Sequence, residues 1–213
     1  MYTDYADFRF LFAPRPENAI SSGMINYFEG KGWVGTYKLN GTCSLIGIAP
    51  DGSMHTMTRH NTPHKAWNPQ FSQTRNLAKY VKRDTWTVFA AELMHSKTPN
   101  TKDTLYLFDM VVHNSKELIG TTYDERQDML AMMFHERQGE EDSHYVIENG
   151  IWLVKNHLHD LKKKFSEIKA HPTKEFEGLV LKDPNGKLSL MTKTGQNQGW
   201  QVKVRVPNFS YSF

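Results

Sequence analysis

Lys38-Leu39-Asn40-Gly41 lies between two runs with a strand-like pattern, residues 35–38 before it and residues 42–48 after it. A lysine at such a junction, followed by a polar residue and a glycine, suits a nucleophile aimed at a phosphate. The glycine suits this purpose because it lets the backbone approach the phosphate closely. The stretch therefore predicts a strand–turn–strand unit that carries a reactive lysine.

Strand patterns outnumber helix patterns on either side of this unit. Asp51-Gly52 is a strong hairpin signal between the run 42–48 and the run 54–58. Because successive strands are expected to pair as antiparallel neighbours, the pattern predicts the α+β class. Residues 1–30 are expected to be loop-rich, since Pro14-Arg15-Pro16 interrupts any helix. The further expected strands are 85–93, 104–112, 178–182, 187–192 and 199–206, and the expected helices are 22–28, 74–81, 123–137 and 156–170.

Composition limits the class of protein. The chain has 213 residues, of which 38% are hydrophobic and 23% charged, ordinary values for a globular protein. No apolar run approaches the roughly 20 residues of a membrane helix, and the acidic, polar N-terminus does not resemble a signal peptide. The single cysteine, Cys43, fits a reducing compartment. The cytoplasm is the expected location, with no membrane partner, and the net charge of +3 permits nucleic-acid binding without requiring it.

Two common kinds of site are not predicted. His157 and His159 lie two residues apart on an expected helix, where their side chains point to different sides, so the pattern argues against a zinc site. No glycine-rich loop of the Walker type is present, which argues against a P-loop ATPase.

Transfer of a nucleotide to a lysine has requirements that downstream residues can meet. A free lysine has a pKa of about 10.4, so nearby positive charge or desolvation must lower it before the amine can attack. The α-phosphate gains negative charge in the transition state, so cations and a carboxylate-bound metal must converge there. The chain offers Lys38 as the nucleophile, Lys203 and Arg205 as cations, and Glu177 as the carboxylate.

Five short motifs follow one another in the order of a known superfamily, namely Lys38-Leu39-Asn40-Gly41, Glu92, Phe108-Asp109, Glu177-Gly178 and Lys203-Val204-Arg205. They resemble the motifs of the lysine-nucleophile nucleotidyltransferases: ATP-dependent DNA ligases, RNA ligases and mRNA capping enzymes. The segment from Glu177 to Lys182, Glu-Gly-Leu-Val-Leu-Lys, resembles a ligase segment nearly letter for letter. The resemblance implies an adenylyltransferase domain of an ATP-dependent polynucleotide ligase. That is an antiparallel-sheet, ATP-grasp-like catalytic domain, here a single domain over residues 1–213 with its motifs between 36 and 205.

The resemblance also implies a role for each motif residue. Lys38 becomes covalently bonded to the nucleotide of ATP, Lys203 and Arg205 contact its α-phosphate, and Glu177 binds Mg²⁺ or Mn²⁺. Phe108 stacks on the purine, and Glu92 binds the ribose hydroxyls. The other expected contacts with the nucleotide are Thr36, Tyr37, Asn40, Gly41, Arg59 and Lys182.

Strand alternation supports some of these roles directly. It places Lys203 and Arg205 on one face of their strand. Glu177 and Lys182 are five residues apart, so they share a face only if a β-bulge intervenes.

Departures from the family pattern bear on the substrate. Asn40 stands where DNA ligases and capping enzymes usually have aspartate, and Cys43 where many DNA ligases have arginine. Only eight residues follow Arg205, so we expect no C-terminal OB-fold and a possible partner protein that supplies its functions. These features favour RNA ends over nicked DNA, whereas the segment from Glu177 to Lys182 favours DNA. A GTP-dependent capping guanylyltransferase and a nucleic-acid-binding module without activity are the alternatives.

Overall fold

The structure is a computed structural model that describes residues 12–65, 67–94, 98–192, 195 and 197–207. The described residues form twelve strands and four α-helices, which confirms the predicted α+β class. The strands are β1 (Arg15–Ala19), β2 (Val34–Leu39), β3 (Thr42–Ile48), β4 (Met54–Thr58), β5 (Thr87–Leu93), β6 (Leu105–His113), β7 (Lys116–Glu117), β8 (Gly139–Glu140), β9 (His144–Glu148), β10 (Ile151–Val154), β11 (Phe176–Lys182) and β12 (Asn197–Arg205). The helices are α1 (Ile25–Gly30), α2 (Phe71–Ala78), α3 (Tyr123–Met133) and α4 (Leu161–Ala170), with short 3₁₀ helices at Ser22–Met24 and Pro99–Thr101.

The strands form two sheets. The small sheet has the strand order β1-β12-β11-β2, and the large sheet has the order β4-β3-β5-β6-β10-β9-β8, with β7 paired to β6. Most neighbours are antiparallel, as expected, but β1 pairs with β12 and β10 pairs with β6 in parallel. A parallel pair needs a long connection, and the chain between β6 and β10 provides one that contains α3.

The chain passes from the small sheet to the large sheet between β2 and β3. The residues at this passage are Asn40 and Gly41, the second half of the lysine motif. A Cβ at Gly41 would lie 2.4 Å from the carbonyl oxygen of Leu93 and 2.9 Å from Cγ of Glu92, so no side chain fits there. The glycine therefore lets the junction pack directly against the end of β5.

The small sheet buries one face under α4 and leaves the other face toward the large sheet. On β11 and β12, Leu179, Leu181, Val202 and Val204 point to the same face of the sheet and join the same apolar cluster as α4. The second apolar cluster lies around the large sheet, where β5 is buried along nearly its whole length. No helix among the described residues is long and apolar enough to cross a membrane.

Several expected elements differ from those observed. The strand β1 lies within the segment expected to be loop-rich, where an edge strand tolerates Pro16, which has no N–H to donate. The expected strand 187–192 is absent, and the backbone of Leu188 instead bonds to Thr121 in a loop.

Two helices are also shorter than expected. Helix α3 ends at Met133 because Phe134 leaves helical geometry and is buried against Tyr80 and Phe89. Helix α4 begins at Leu161 rather than 156 because Asp160 has a left-handed backbone, and Glu29 accepts the N–H groups of Asp160 and Leu161.

Candidate functional site

A cavity of about 190 Å³ lies between the two sheets, at the passage from β2 to β3. Eleven of the twelve residues expected at the site line it, and they come from five strands and two loops. The exception is Asn40, which is buried beside the cavity and donates its side-chain amide to the carbonyl oxygen of Lys174 at 3.0 Å. The residues that line it as expected are Thr36, Tyr37, Lys38, Gly41, Arg59, Glu92, Phe108, Glu177, Lys182, Lys203 and Arg205.

Lys38 and Glu177 meet on neighbouring strands of the small sheet. Nζ of Lys38 lies 2.5 Å from Oε2 of Glu177, and Nε of Arg205 lies 3.5 Å from the same oxygen. The Lys38 side chain is 18% exposed, whereas that of Glu177 is 7% exposed. Among the described residues, no group approaches this carboxylate oxygen in hydrogen-bonding geometry, so the contacts are ion pairs around a buried charge.

A β-bulge brings Glu177 to the cavity. In the pairing of β11 with β2, Phe176 lies opposite Leu39 and Gly178 lies opposite Lys38, so Glu177 is the extra residue on β11. Beyond the bulge, Val180 and Lys182 line the cavity, while Leu179 and Leu181 face α4. The bulge that the spacing of Glu177 and Lys182 requires is therefore present.

Gly178 makes the bulge possible. Its φ is +141°, a value that side-chain-bearing residues rarely adopt, and a Cβ there would lie 2.0 Å from the carbonyl oxygen of Val204. Gly178, which follows the expected metal-binding residue Glu177, is thus required by the backbone conformation at the bulge.

Glu92 lies at the far end of the lysine motif, on β5. Its Oε1 accepts a hydrogen bond from the backbone N–H of Gly41 at 3.1 Å. Burial raises the pKa of Glu92 to about 7 and outweighs the opposing effects of Lys38 and the Gly41 hydrogen bond. A half-protonated carboxyl at neutral pH can both donate and accept, which suits recognition of hydroxyl groups.

Phe108 and the buried Lys182 lie together at one end of the cavity. Nζ of Lys182 lies 5.5 Å from the centre of the Phe108 ring and donates to the hydroxyl of Tyr123 at 3.0 Å. Burial lowers the pKa of Lys182 to about 8. The lysine is 3% exposed, so its position is set by these contacts rather than by solvent.

A hydrogen-bonded chain returns from Lys182 to Phe108. The Tyr123 hydroxyl donates to Oδ1 of Asn156, whose amide donates to Oε1 of Gln127. The amide of Gln127 donates to the carbonyl oxygen of Phe108 at 3.3 Å. These hydrogen bonds thus link the ammonium of Lys182 to the backbone of Phe108, a connection that no sequence pattern indicates.

Lys203 and Arg205 extend from β12 toward Glu177, on the face that alternation predicts. Burial lowers the pKa of Lys203, and the neighbouring charges of Arg205, Arg15 and Lys38 lower it further. The small sheet therefore presents several close cations to the cavity, an arrangement that attracts an anion.

Three residues that were expected to contact the nucleotide also donate hydrogen bonds to other groups of the protein. The hydroxyl of Thr36 donates to the carbonyl oxygen of Val180 at 3.4 Å. The ring of Tyr37 packs on Phe176, and its hydroxyl donates to Asp142. Arg59 is exposed at the rim, and its Nε donates to His60 at 3.1 Å.

Residues to which the sequence assigned no contact with a nucleotide also shape the site. The carboxylate of Asp109 forms a bidentate ion pair with Arg126, at 2.7 and 3.1 Å, and both side chains are fully buried. This pair joins β6, which carries Phe108, to α3, which carries Tyr123. Cys43 lines the cavity, and burial, followed by the charge of Glu92, raises the pKa of its thiol to about 12, so the thiol is protonated.

The donor set around Glu177 fits a divalent cation that is shared with a ligand. Glu177 offers a buried carboxylate oxygen that has no hydrogen-bond partner within the described parts of the chain. Among the described residues, no three His, Cys, Asp or Glu side chains are close enough to hold a metal by themselves. Mg²⁺ is commonly bound by one or two carboxylates together with substrate phosphates and water, so one carboxylate is sufficient if a nucleotide completes the shell.

In sequence and in fold, the chain is similar to ATP-dependent ligases. The family model of the ATP dependent DNA ligase domain matches residues 54–200, which leaves Lys38 outside the match. No curated protein matches the chain at a significant level.

Solved structures of DNA ligases share the fold. Mycobacterial DNA ligase D complexed with ATP and MES superposes with a TM-score of 0.65 at 15% identity, over 93% of this chain and 61% of that chain. A Lig E DNA ligase gives a TM-score of 0.56 at 15% identity, over 92% and 69%. The ATP-dependent ligase of bacteriophage T7 gives 0.54 at 12% identity, over 90% and 68%. The chain thus spans about three fifths of the ligase D chain. Because the family match covers more than half of its length, the chain belongs to the ATP-dependent DNA ligase domain family, within the lysine-nucleophile nucleotidyltransferases.

Proposed function

We propose that this protein joins polynucleotide ends through a covalent Lys38–AMP intermediate formed from ATP. The observation that carries the proposal is the convergence of Lys38, Glu177, Lys203 and Arg205 at one cavity whose other end holds Phe108. A nucleotide with its base at Phe108 and its phosphates among the cations would present the α-phosphorus to Lys38.

In the first step, Lys38 attacks the α-phosphorus of ATP. The ammonium releases one proton before the attack, and the amine releases a second as the phosphorus–nitrogen bond forms. The bond from the α-phosphorus to the bridging oxygen breaks, and pyrophosphate leaves. Lys203 and Arg205 stabilise the negative charge that grows on the phosphate oxygens.

Glu177 would hold a Mg²⁺ or Mn²⁺ ion together with the nucleotide phosphates. Such an ion supplies charge neutralisation at the phosphate oxygens. Glu177 also holds Lys38 in place, since its carboxylate lies within 2.5 Å of Nζ. Release of Lys38 from this ion pair must precede attack, because a nucleophilic amine carries no positive charge.

In the following steps, AMP passes to a 5′-phosphate end and the ends are joined. The oxygen of the 5′-phosphate attacks the AMP phosphorus, and the bond to Lys38 breaks as its nitrogen regains a proton. A 3′-hydroxyl then attacks the 5′-phosphorus, and AMP leaves.

We propose nicked duplex DNA as the substrate. The matched family is that of the ATP dependent DNA ligase domain, and the three solved structures described above are DNA ligases. The RNA preference of the sequence analysis depended in part on Asn40, and the side chain of this residue bonds to Lys174 instead of lining the cavity. Asn40 therefore has no direct means of selecting a substrate.

Incubation with Mg²⁺ and either ATP or GTP, followed by intact-mass measurement, tests the first step. We expect an AMP adduct that Lys38→Ala abolishes and that Lys102→Ala, a change at an exposed lysine, leaves unchanged. A GMP adduct would place the protein with the capping enzymes. If neither nucleotide labels the protein, the proposal fails and a nucleic-acid-binding role takes its place.

A competition between nicks tests the substrate. The adenylated protein is mixed with equal amounts of nicked DNA duplex and nicked RNA duplex of the same sequence, each with a 5′-phosphate. We expect faster sealing of DNA. Faster sealing of RNA would restore the preference drawn from the sequence.

A further inference from the structure

Arg15 reaches the cavity from a part of the chain that precedes all of the family motifs. It is the first residue of β1, which adds to the edge of the small sheet beside β12. Arg15 lines the cavity together with Pro14 and Pro16. Its charge is close enough to lower the pKa of Lys203, which β12 carries, and to oppose the rise in the pKa of Cys43.

The two flanking prolines make this arginine rigid at its backbone. A residue that precedes proline is confined to extended conformations, and Arg15 precedes Pro16. Pro16 has no N–H, which an edge strand such as β1 can tolerate. The chain therefore holds the Cα of Arg15 in place before any ligand binds.

The guanidinium of Arg15 has no hydrogen bond or ion pair with another residue in the part of the chain that the structure describes. A half-buried guanidinium has five donors and normally finds acceptors. Its surroundings offer few, because the cavity is lined by six lysines and arginines and only two carboxylates. One of those carboxylates, Glu92, already accepts from Gly41.

We propose that Arg15 binds a phosphate group in the cavity, as a further substrate-binding residue of the site. The inference depends on the proposed function for the identity of the ligand, which is either ATP or the 5′-phosphate of a polynucleotide end. A planar guanidinium suits a phosphate because it can donate two parallel hydrogen bonds.

The test uses Arg15→Gln and Arg15→Lys, with Arg83→Gln as the matched control. Arg83 is exposed and lies outside the cavity, so its replacement removes the same charge elsewhere. The first measurement is the Kd for Mg-ATP by calorimetry, in a Lys38→Ala background that prevents reaction. The second is the Kd for a nicked duplex with a 5′-phosphate and for the same duplex with a 5′-hydroxyl, by fluorescence anisotropy.

If ATP is the ligand, Arg15→Gln should raise the Kd for ATP about tenfold, which corresponds to about 1.4 kcal/mol, because the charge-assisted hydrogen bonds to the phosphate are lost. If the 5′-phosphate is the ligand, the variant should lose about tenfold of the preference for the phosphorylated nick and keep its affinity for the 5′-hydroxyl nick. In either case Arg15→Lys should recover part of the loss, because it keeps the charge.

Values for Arg15→Gln within twofold of those for Arg83→Gln in both measurements would overturn the inference. Both measurements report binding, so they are independent of the covalent step. Absence of the Lys38 adduct would refute the proposed function alone, while a wild-type chain that binds neither ATP nor the 5′-phosphate would refute both.

Discussion

At the scale of single residues, Glu92 has the most unusual environment for its type. Its carboxyl has a pKa of about 7 in the folded chain, compared with 4.5 for the unperturbed group, because burial disfavours the charged form. Between these two values the folded state binds more protons than the unfolded state. The free energy of unfolding must therefore fall as the pH rises from about 4.5 to about 7.

We expect Glu92→Gln to remove this pH dependence. The wild-type chain should lose up to about 3 kcal/mol of stability, relative to the variant, between pH 5 and pH 8, at about 1.4 kcal/mol per pKa unit. Urea unfolding at several pH values measures the difference. Glu136→Gln, at a side chain that is 85% exposed, is the control and should follow the wild type. Parallel curves for wild type and Glu92→Gln would show that the carboxyl has an ordinary pKa.

The positions of individual site residues were predictable only where the chemistry of the side chain is specific. Lys38, Glu177 and Lys203 were expected at one site because a lysine, a carboxylate and a further cation suit nucleotide transfer, and all three line the cavity. Arg15 was not predicted as a site residue because an arginine between two prolines resembles a surface loop. Tyr123 was not predicted because a tyrosine in a helix pattern is indistinguishable from a core residue.

At the scale of elements, the bulge on β11 decides whether Glu177 and Lys182 reach the same cavity. We expect Gly178→Ala to destabilise the fold by about 2 kcal/mol or more, because its φ of +141° strains any side-chain-bearing residue and its Cβ would clash with Val204. Gly30→Ala is the control, since a Cβ at Gly30 meets nothing within 4 Å. Thermal unfolding followed by circular dichroism compares the two variants. Equal unfolding midpoints would show that the backbone at Gly178 does not require glycine.

The Asp109–Arg126 pair is the main polar link between β6 and α3. Asp109→Asn or Arg126→Met alone should cost about 3–5 kcal/mol, because each leaves a buried charge without its partner. The double variant should cost clearly less than the sum of the two. A double-mutant cycle by urea unfolding checks this, and additive effects would mean that the two side chains do not interact.

Strands and helices were predicted correctly where the local sequence pattern is unambiguous. They were missed where contacts with residues far away in sequence determine whether the element forms or where it begins. The hairpin at Asp51-Gly52 formed as its sequence indicates, with Ile48 opposite Met54. β1 was missed because its strand character depends on β12, which lies at the other end of the chain. The start of α4 was missed because Glu29, in a helix far away in sequence, accepts the first N–H groups of that helix.

At the scale of the whole molecule, the cavity is bounded by both sheets. Lys38, Glu177 and Lys203 belong to the small sheet, whereas Glu92 and Phe108 belong to the large sheet. A nucleotide that contacts both sets of residues ties the two sheets together. Binding should therefore stabilise the molecule as a whole and not only the loops around the cavity.

We expect Mg-ATP to raise the melting temperature of the Lys38→Ala protein. At a ligand concentration of about 100 times Kd the stabilisation is about 2.7 kcal/mol, which corresponds to roughly 5–10 °C for a chain of this size. Differential scanning calorimetry measures the shift. Adenosine, which lacks phosphates, should give a much smaller shift at equal concentration, and an equal shift would mean that the cations of the small sheet do not contact the nucleotide.

The sequence by itself determined the α+β class and the order of the motifs, and it indicated most of the residues expected at the cavity, because these depend on residue type, local periodicity and spacing along the chain. The tertiary structure alone decided which groups meet. It placed Arg15 beside Lys203, closed the chain of hydrogen bonds from Lys182 to Phe108, and turned Asn40 away from the cavity. These outcomes depend on pairing between strands that are distant in sequence and on a single bulge, and neither is encoded in any local pattern.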